Sequence, residues 1–499
     1  MSLVLRRGCL MVIAGLALGG CMVGPDYVRP AAPLPASDRY RESQGWKRAE
    51  PRDALSRGAW WRIYDDPVLD ALVTRVAVDN QNVIAAEAQY RQASALVLQA
   101  WSALFPTLTA NASAIRSRSP SLANQPSLAR GPINNFNANL AASWVPDLWG
   151  SVRRNIDANV DSWAASEADL ANLTLASQSL LVENYLQIRV LDEARRILEE
   201  TVAAYEYSLQ LTQNRYKVGV AARLDVVQAE AQLKSTQALL INLQVQRAQL
   251  EHAIAVLMGV PPEGFAVERV PFALRVPEIP VGIPSEILER RPDIAAAERR
   301  AAAANARIGV ADAAFYPTVT LSGAIGFRSV TLPDLFSTPS RFWSLGAALA
   351  QPLFDGGLRA GVSAQARAFY DQEVALYRQT VLTAFQQVED NLVALRVLAE
   401  EQQVQREAVE ASRKSVELTL NQYRAGTANY LAVITVQAIA LNNERTELNI
   451  LSQRLAASVQ LIQALGGGWQ IDDLATVRDG RSGTPLSPQP ESRRPPPSS

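Results

Sequence analysis

Two periodicities alternate along this chain, and each predicts a different element. Leu198, Val202, Tyr205, Leu209, Thr212 and Tyr216 follow one another at steps of four and three. So do Leu240, Leu243, Arg247, Leu250, Ile254 and Leu257, and again Leu448, Leu451, Leu455, Ser458, Ile462 and Leu465. Such stepping is the 3.5-residue period of coiled-coil seams. Arg247 and Ser458 interrupt the stripes, so a simple two-stranded zipper is not implied. Elsewhere the period falls to two. Val319, Leu321, Gly323, Ile325 and Phe327 alternate with small and polar residues, as do Phe136, Ala138, Leu140, Ala142 and Trp144. This is the signature of strands with one apolar and one polar face. Weaker alternation over Thr107–Ala114 and Phe342–Ala350 brings the expectation to four strands.

Glycine and proline punctuate the same pattern. Residues 151–218 contain neither, residues 362–425 contain neither, and after a single glycine (Gly219 or Gly426) 39 further residues run free of both. Each half therefore predicts one very long helix, a tight turn and a shorter returning helix, with two strands before the long helix. The halves are copies of one plan at a period of about 210 residues. Phe105-Pro106-Thr107 answers Tyr316-Pro317-Thr318, Gly150-Ser151-Val152-Arg153 answers Gly356-Gly357-Leu358-Arg359, and Tyr216-Lys217-Val218-Gly219 answers Tyr423-Arg424-Ala425-Gly426. A connector with Pro261, Pro262, Pro271, Pro277, Pro280 and Pro284 joins them.

Strands of about nine residues fit a tilted membrane strand, and nothing in the pattern supplies a second sheet to cover their apolar faces. Only helices and closed barrels satisfy every backbone group in lipid, and four strands cannot close. Oligomers are then required, eight strands from a dimer or twelve from a trimer.

The first residues add a compartment. Arg6 and Arg7, an apolar stretch from Cys9 to Leu18, and Leu18-Gly19-Gly20-Cys21 read as a signal peptide ending in a lipoprotein cleavage box. Cleavage would leave Cys21 to be acylated and the mature chain without a free thiol or a disulfide. The formal charge of −1 becomes −3 when the two arginines leave, which recommends no nucleic-acid partner. The single histidine, His252, has no second ligand beside it in the pattern, and no cofactor, metal or nucleophile motif is present.

Three segments carry a resemblance to the TolC-like outer-membrane efflux proteins, in the lipidated branch that serves resistance-nodulation-division pumps. They are Cys21-Met22-Val23-Gly24-Pro25-Asp26-Tyr27, the stretch from Ile283 through Arg290-Arg291-Pro292-Asp293-Ile294, and the paired Tyr-x-x-Gly turns. The resemblance implies an α+β membrane protein with an internal two-fold repeat. Long coiled-coil hairpins would form a periplasmic α-barrel, and four strands per chain would enter the twelve-stranded transmembrane β-barrel of a homotrimer. It also implies outer-membrane lipid around the barrel, a periplasmic adaptor and an inner-membrane pump as partners, and no cofactor. On this plan residues 1–20 are signal peptide, 21–65 an anchored extension, 66–259 the first repeat, 260–290 the connector, 291–469 the second repeat, and 470–499 a tail of disordered composition. Tyr216, Lys217, Gly219, Leu224, Tyr423, Arg424, Gly426 and Leu431 become candidates for adaptor docking at the helix turns. Asp225 is the gate candidate, with Arg223 or Arg424 as partners. In the family an aspartate on the second returning helix often serves as gate, whereas Thr435 stands in that neighbourhood here. A lipid-anchored coiled-coil scaffold is the rival function. It would have no use for amphipathic hairpins at matching places in both halves, and an enzyme would need a site that the sequence does not display.

Overall fold

In the computed structural model the chain is described over residues 22–33, 40–42, 59–118, 132–270, 275–279 and 290–467. Cys21, the signal peptide, most of the Ile283–Arg290 stretch and the tail lie outside the described residues. Eleven main elements follow in chain order among them: α1 (Pro67–Asp79), α2 (Gln81–Ser102), β1 (Thr107–Ser117), β2 (Ile133–Trp144), α3 (Ser151–Lys217), α4 (Arg223–Leu257), α5 (Pro292–Ala313), β3 (Thr318–Ser329), β4 (Arg341–Ala350), α6 (Leu358–Ala425) and α7 (Tyr430–Ala464). No helix among the described residues is long and apolar enough to cross a membrane.

The expected plan of strands, long helix and returning helix appears twice, with three local differences. The first repeat has two helices before its strands. Asn80 divides them, its Oδ1 accepting from the backbone N–H groups of Asn82 and Val83 at 2.9 and 3.2 Å. The long helix α6 begins at Leu358, so Gly361 lies within its first turn instead of stopping it. The cause is a cap that offsets the propensity cost of glycine. Asp355 accepts from the N–H groups of Gly357 (3.0 Å) and Arg359 (3.3 Å) and from the Arg359 guanidinium (2.5 Å). Asp147 does the same for α3, accepting from the N–H groups of Val152 and Arg153 and from Arg153 Nε, each at 3.0 Å. The matched arginines of the two repeats thus serve helix starts. Finally, β1 runs three residues past the expected Ala114, to Ser117.

Two compact units result, each drawing on both repeats. One holds residues up to Ala31, Tyr90–Ala165 and Ala297–Tyr377, including all four strands. The N-terminal segment is strapped into this unit. Gly24 (φ +96°) lies against Gly309, where a side chain on either residue would collide with the other's backbone segment. Arg154 binds Asp26 at 2.9 Å, Asn305 donates to the Pro25 carbonyl at 3.0 Å, and the Tyr27 hydroxyl donates to Glu298 at 2.7 Å.

The other unit holds Ala32–Gln89, Ser166–Ala296 and the chain from Arg378 onward. Its core gathers Trp60, Trp61, Tyr64, Leu69, Val73, Leu181, Tyr185, Ile254, Met258, Leu455 and Val459. The two residues that broke the seams each have a partner here. Ser458 bonds the Tyr64 hydroxyl at 2.7 Å. Arg247 donates to Asp192 (2.8 Å), Glu251 (2.5 Å) and the Val267 carbonyl (2.7 Å), tying the start of the connector to α3 and α4. Arg291 of the Arg-Arg-Pro-Asp segment is also buried, donating to Asp293, Gln387 and the Ala464 carbonyl at 2.6–3.1 Å.

Candidate functional site

Two regions carry the candidate function, the sheet in the first unit and the helix turns in the second. The sheet is an antiparallel meander in the order β1-β2-β3-β4. Directly opposed residues of an antiparallel pair share a face, so the register sorts the side chains. Ala142 faces Leu108 and Gly323, Leu140 faces Ala110 and Ile325, Ala138 faces Ala112 and Phe327, and Trp343, Leu345 and Leu349 of β4 continue the same face. The other face carries Thr107, Thr109, Asn111 and Ser113 of β1, Asn137, Asn139 and Ser143 of β2, Thr320, Ser322 and Arg328 of β3, and Ser344 of β4. The alternation of all four strands is therefore in phase. Gly326 permits the tightest approach within this sheet, since a Cβ there would sit 2.3 Å from the Ala138 carbonyl.

Among the described residues nothing covers the apolar face. Trp343, Leu345 and Leu349 are 76, 83 and 70% exposed. β1 and β4 each leave one edge without a partner strand among the described residues. Aromatic residues gather where strands meet helices: Trp149 stacks on Tyr316 with ring centroids 4.8 Å apart, and Phe105 and Phe354 are exposed. The strand ends are also staggered. Thr107 is level through β2 with Ser322, while Ala350 is level with Thr318, an offset of four residues across three strand spacings. With about 3.3 Å per residue and about 4.8 Å between strands, ends lying in one plane imply a tilt of about 40–45°. Transmembrane barrels tilt their strands by about 35–45°.

The two Tyr-x-x-Gly sequences are both helix stops of the Schellman kind. Gly219 N–H donates to the Tyr216 carbonyl and Val220 N–H to Arg215, each at 2.9 Å. Gly426 N–H donates to Tyr423 at 3.1 Å and Thr427 N–H to Gln422 at 2.9 Å. Both glycines have φ near +80°.

The side chains at these stops behave differently. Tyr216, Lys217, Leu224, Arg424 and Leu431 are exposed, together with Gly219 and Gly426. Tyr423 is buried, 3% exposed, and this corrects its place among the docking residues. Its ring lies against Tyr430 and under the Arg215 guanidinium, 4.6 Å away, and its hydroxyl donates to Thr212 at 3.2 Å. Burial also pushes the neighbouring Tyr430 hydroxyl upward from its ordinary pKa.

Two of the three gate candidates have partners within the chain. Asp225 accepts from the Ala222 N–H at 3.2 Å, capping α4, and Arg424 donates to Tyr207 (3.3 Å) and Asn421 (3.1 Å). Among the described residues no ion pair joins Asp225 to Arg223 or Arg424. Thr435 returns its hydroxyl to the Leu431 carbonyl at 2.8 Å. The residue that sequence reasoning missed is Arg215, which donates to the Tyr423 carbonyl and so places a cation at the C-terminal end of α6. The only sequence signal for it was its place one residue before Tyr216.

Comparison with known proteins agrees with this geometry. The sequence matches the model of the family described as outer membrane efflux protein over residues 72–260 and 283–467. It is 32% identical to the pyoverdine export outer membrane protein OpmQ of Pseudomonas aeruginosa over 473 residues, which cover 94% of this chain and 98% of that protein. The toluene efflux pump outer membrane protein TtgC of Pseudomonas putida is 30% identical over 469 residues, 92% of this chain and 95% of that protein. The solved structure of the outer-membrane channel OprN superposes with a TM-score of 0.83 at 32% identity, over 90% of this chain and 100% of that one. An in-phase amphipathic sheet, paired helix hairpins and matches over nearly the whole length converge on one assignment: the chain belongs to the outer membrane efflux protein family.

Proposed function

We propose that three copies of this chain form the outer-membrane exit duct of a tripartite efflux pump. The observation that carries the reading is the four-stranded sheet with one apolar face, one polar face and two open edges. β1 and β4 run in opposite directions, so β4 of one copy pairs antiparallel with β1 of the next. Eight strands enclose an interior that side chains fill, so a dimer would leave no conduit. A trimer is the smallest assembly that does, with twelve strands. The apolar face then meets lipid, and the face of Asn, Ser and Thr lines the lumen. A water-exposed scaffold would leave Trp343, Leu345 and Leu349 uncovered.

In this reading acylated Cys21 anchors the chain to the membrane beside the strapped segment Met22–Ala31. The helix turns meet a periplasmic adaptor through Tyr216, Lys217, Gly219, Leu224, Arg424, Gly426 and Leu431, with Tyr423 holding the turn from inside. Asp225 forms a threefold ring at the tip, partnered by Arg223 or Arg424 of neighbouring helices, that biases the resting duct toward closure, and an inner-membrane pump of the resistance-nodulation-division type supplies the cargo. Relatives about equally similar to this chain are named for pyoverdine and for toluene, so cargo choice belongs upstream of the duct. The chain itself contributes a passive path. The test is the mass of the detergent-solubilised protein together with its conductance in planar bilayers. Three chains per particle and a conductance that rises in an Asp225→Ala, Arg424→Ala double variant are expected. A monomer that keeps its full β content would overturn the reading.

A further inference from the structure

The end of the sheet away from the helices is basic. Among the described residues it holds Arg116, Arg118, Arg328 and Arg341 and a single carboxylate, Asp334, which the Thr331 hydroxyl engages. The four strands contain no Asp or Glu. Register separates the strand arginines by face. Arg328 is opposite Asn137 on the polar face, its guanidinium 5.0 Å from the centre of the Phe342 ring. Arg116 is opposite Asn134, and Arg341 is opposite Phe327; both lie on the apolar face. Both are exposed, and among the described residues no carboxylate pairs with either.

Their depth is the same. Carried through the β2–β3 ladder, Asn134 falls four positions beyond Phe327, the same offset that separates the opposite ends of β1 and β4. Arg116 and Arg341 are therefore level once the tilt is included. They also occupy the two edge strands. In the closed ring, on which this argument rests, Arg341 of one copy and Arg116 of the next come to the same seam at the same height. Two guanidinium groups on a lipid-facing rim repel unless an anion lies between them, and their planar forks match phosphate oxygens. Their stems can reach along the apolar surface while the charged ends stay at headgroup level.

We propose that the Arg341–Arg116 pair at each subunit seam binds phosphate groups of phosphorylated lipids in the outer leaflet. The rim thereby closes each seam with a bound lipid, while Arg328 remains in the lumen and takes no part.

The test uses the full-length protein reconstituted in phosphatidylcholine vesicles containing a small fraction of a bisphosphorylated glycolipid or its dephosphorylated form, followed by native mass spectrometry. Wild type should retain the phosphorylated form on the trimer in preference to the other. R116Q/R341Q should lower that retention by at least about tenfold, since the loss of even one of its two charge-assisted contacts is worth about that much. R116K/R341K should preserve part of it, and R328Q should match wild type. Equal retention in R116Q/R341Q, an equal loss in R328Q, or no preference in wild type would overturn the proposal while leaving the trimer mass in the same spectrum intact. A wild-type spectrum without trimers would overturn the barrel reading as well. If the double variant does not assemble, R116Q and R341Q singly must each retain less than wild type, or the proposal falls.

Discussion

The helix stops of the two repeats share a backbone and differ in their side chains. Tyr216 and Tyr423 hold the same position in the same Schellman turn, yet Tyr216 is 43% exposed and Tyr423 is 3% exposed. The returning helices start differently too. Asp225 caps α4 from its first turn, whereas Asn429 caps α7 from the preceding residue, accepting from Ala432 N–H at 3.0 Å. Their interrupted seams use Arg247 in one case and Ser458 in the other. Repetition of sequence preserved the local geometry, and the packing partners assigned the copies different work.

The seam contrast should give the largest effect. Arg247→Ala leaves the partly buried Asp192 and Glu251 without this cation and frees the Val267 carbonyl, a loss of up to about 3–5 kcal/mol, the range for breaking a buried pair. Ser458→Ala removes one hydrogen bond to Tyr64 and should cost about 1–2 kcal/mol. Guanidinium unfolding midpoints of the two variants measure the difference, and equal shifts would show that Arg247 is no more than a seam residue.

Next comes the tyrosine pair. Tyr423→Ala opens a cavity beside Tyr430 and should destabilise by about 3–5 kcal/mol. Tyr216→Ala, on the surface, should change stability by about 0.5 kcal/mol or less while weakening adaptor capture in a pull-down. Similar thermal midpoints for the two variants would mean that the turns are equivalent after all.

The smallest contrast is electrostatic. Counting eight residues on from the matched Arg153 and Arg359 reaches Asp161 in α3 and Arg367 in α6. Arg367 is largely exposed and binds Asp312 at 2.8 Å. Asp161 is mostly buried, and burial pushes its pKa up to about 6, against the opposing pull of Arg299 at 3.4 Å. Because the folded state holds this proton more tightly than the unfolded chain, stability attached to Asp161 is present below about pH 4. It is lost as pH rises toward about 6, and the cost then persists. Asp161→Asn should therefore flatten the pH dependence of the thermal midpoint in that window and stabilise the protein at neutral pH by at most about 3 kcal/mol. The lost Arg299 contact offsets part of this gain. An unchanged slope between pH 4 and 6 would exclude Asp161 as its source.

Much of the fold was legible because its signals are local. A period of two or of 3.5 follows from the backbone geometry of strand and helix, and a glycine after a long breaker-free run marks a stop wherever it occurs. Two of the three segments that carried the family resemblance are places of close packing, Gly24 against Gly309 and Arg291 among Asp293, Gln387 and Ala464, while the third is the pair of exposed Schellman turns. What stayed hidden lay where one residue can serve two ends. Arg247 and Ser458 looked like faults in an apolar stripe because their partners, Asp192, Glu251 and the Val267 carbonyl in one case and Tyr64 in the other, lie off the stripe. Tyr423 was grouped with Tyr216 as a docking candidate because the two hold the same place in their repeats, and only packing tells them apart.

What the sequence alone determined was the inventory: two repeats, four amphipathic strands, two long helices with returning partners, and glycines at the stops. Each depends on interactions within a few residues. The tertiary structure decided the register that brings all four apolar faces into phase, the four-residue stagger that sets the tilt, the tyrosine that is buried and the arginines that share a face. Those depend on pairings between segments as far apart as Asn137 and Arg328, where a slip of one residue exchanges the two faces of a strand while leaving its alternation unchanged.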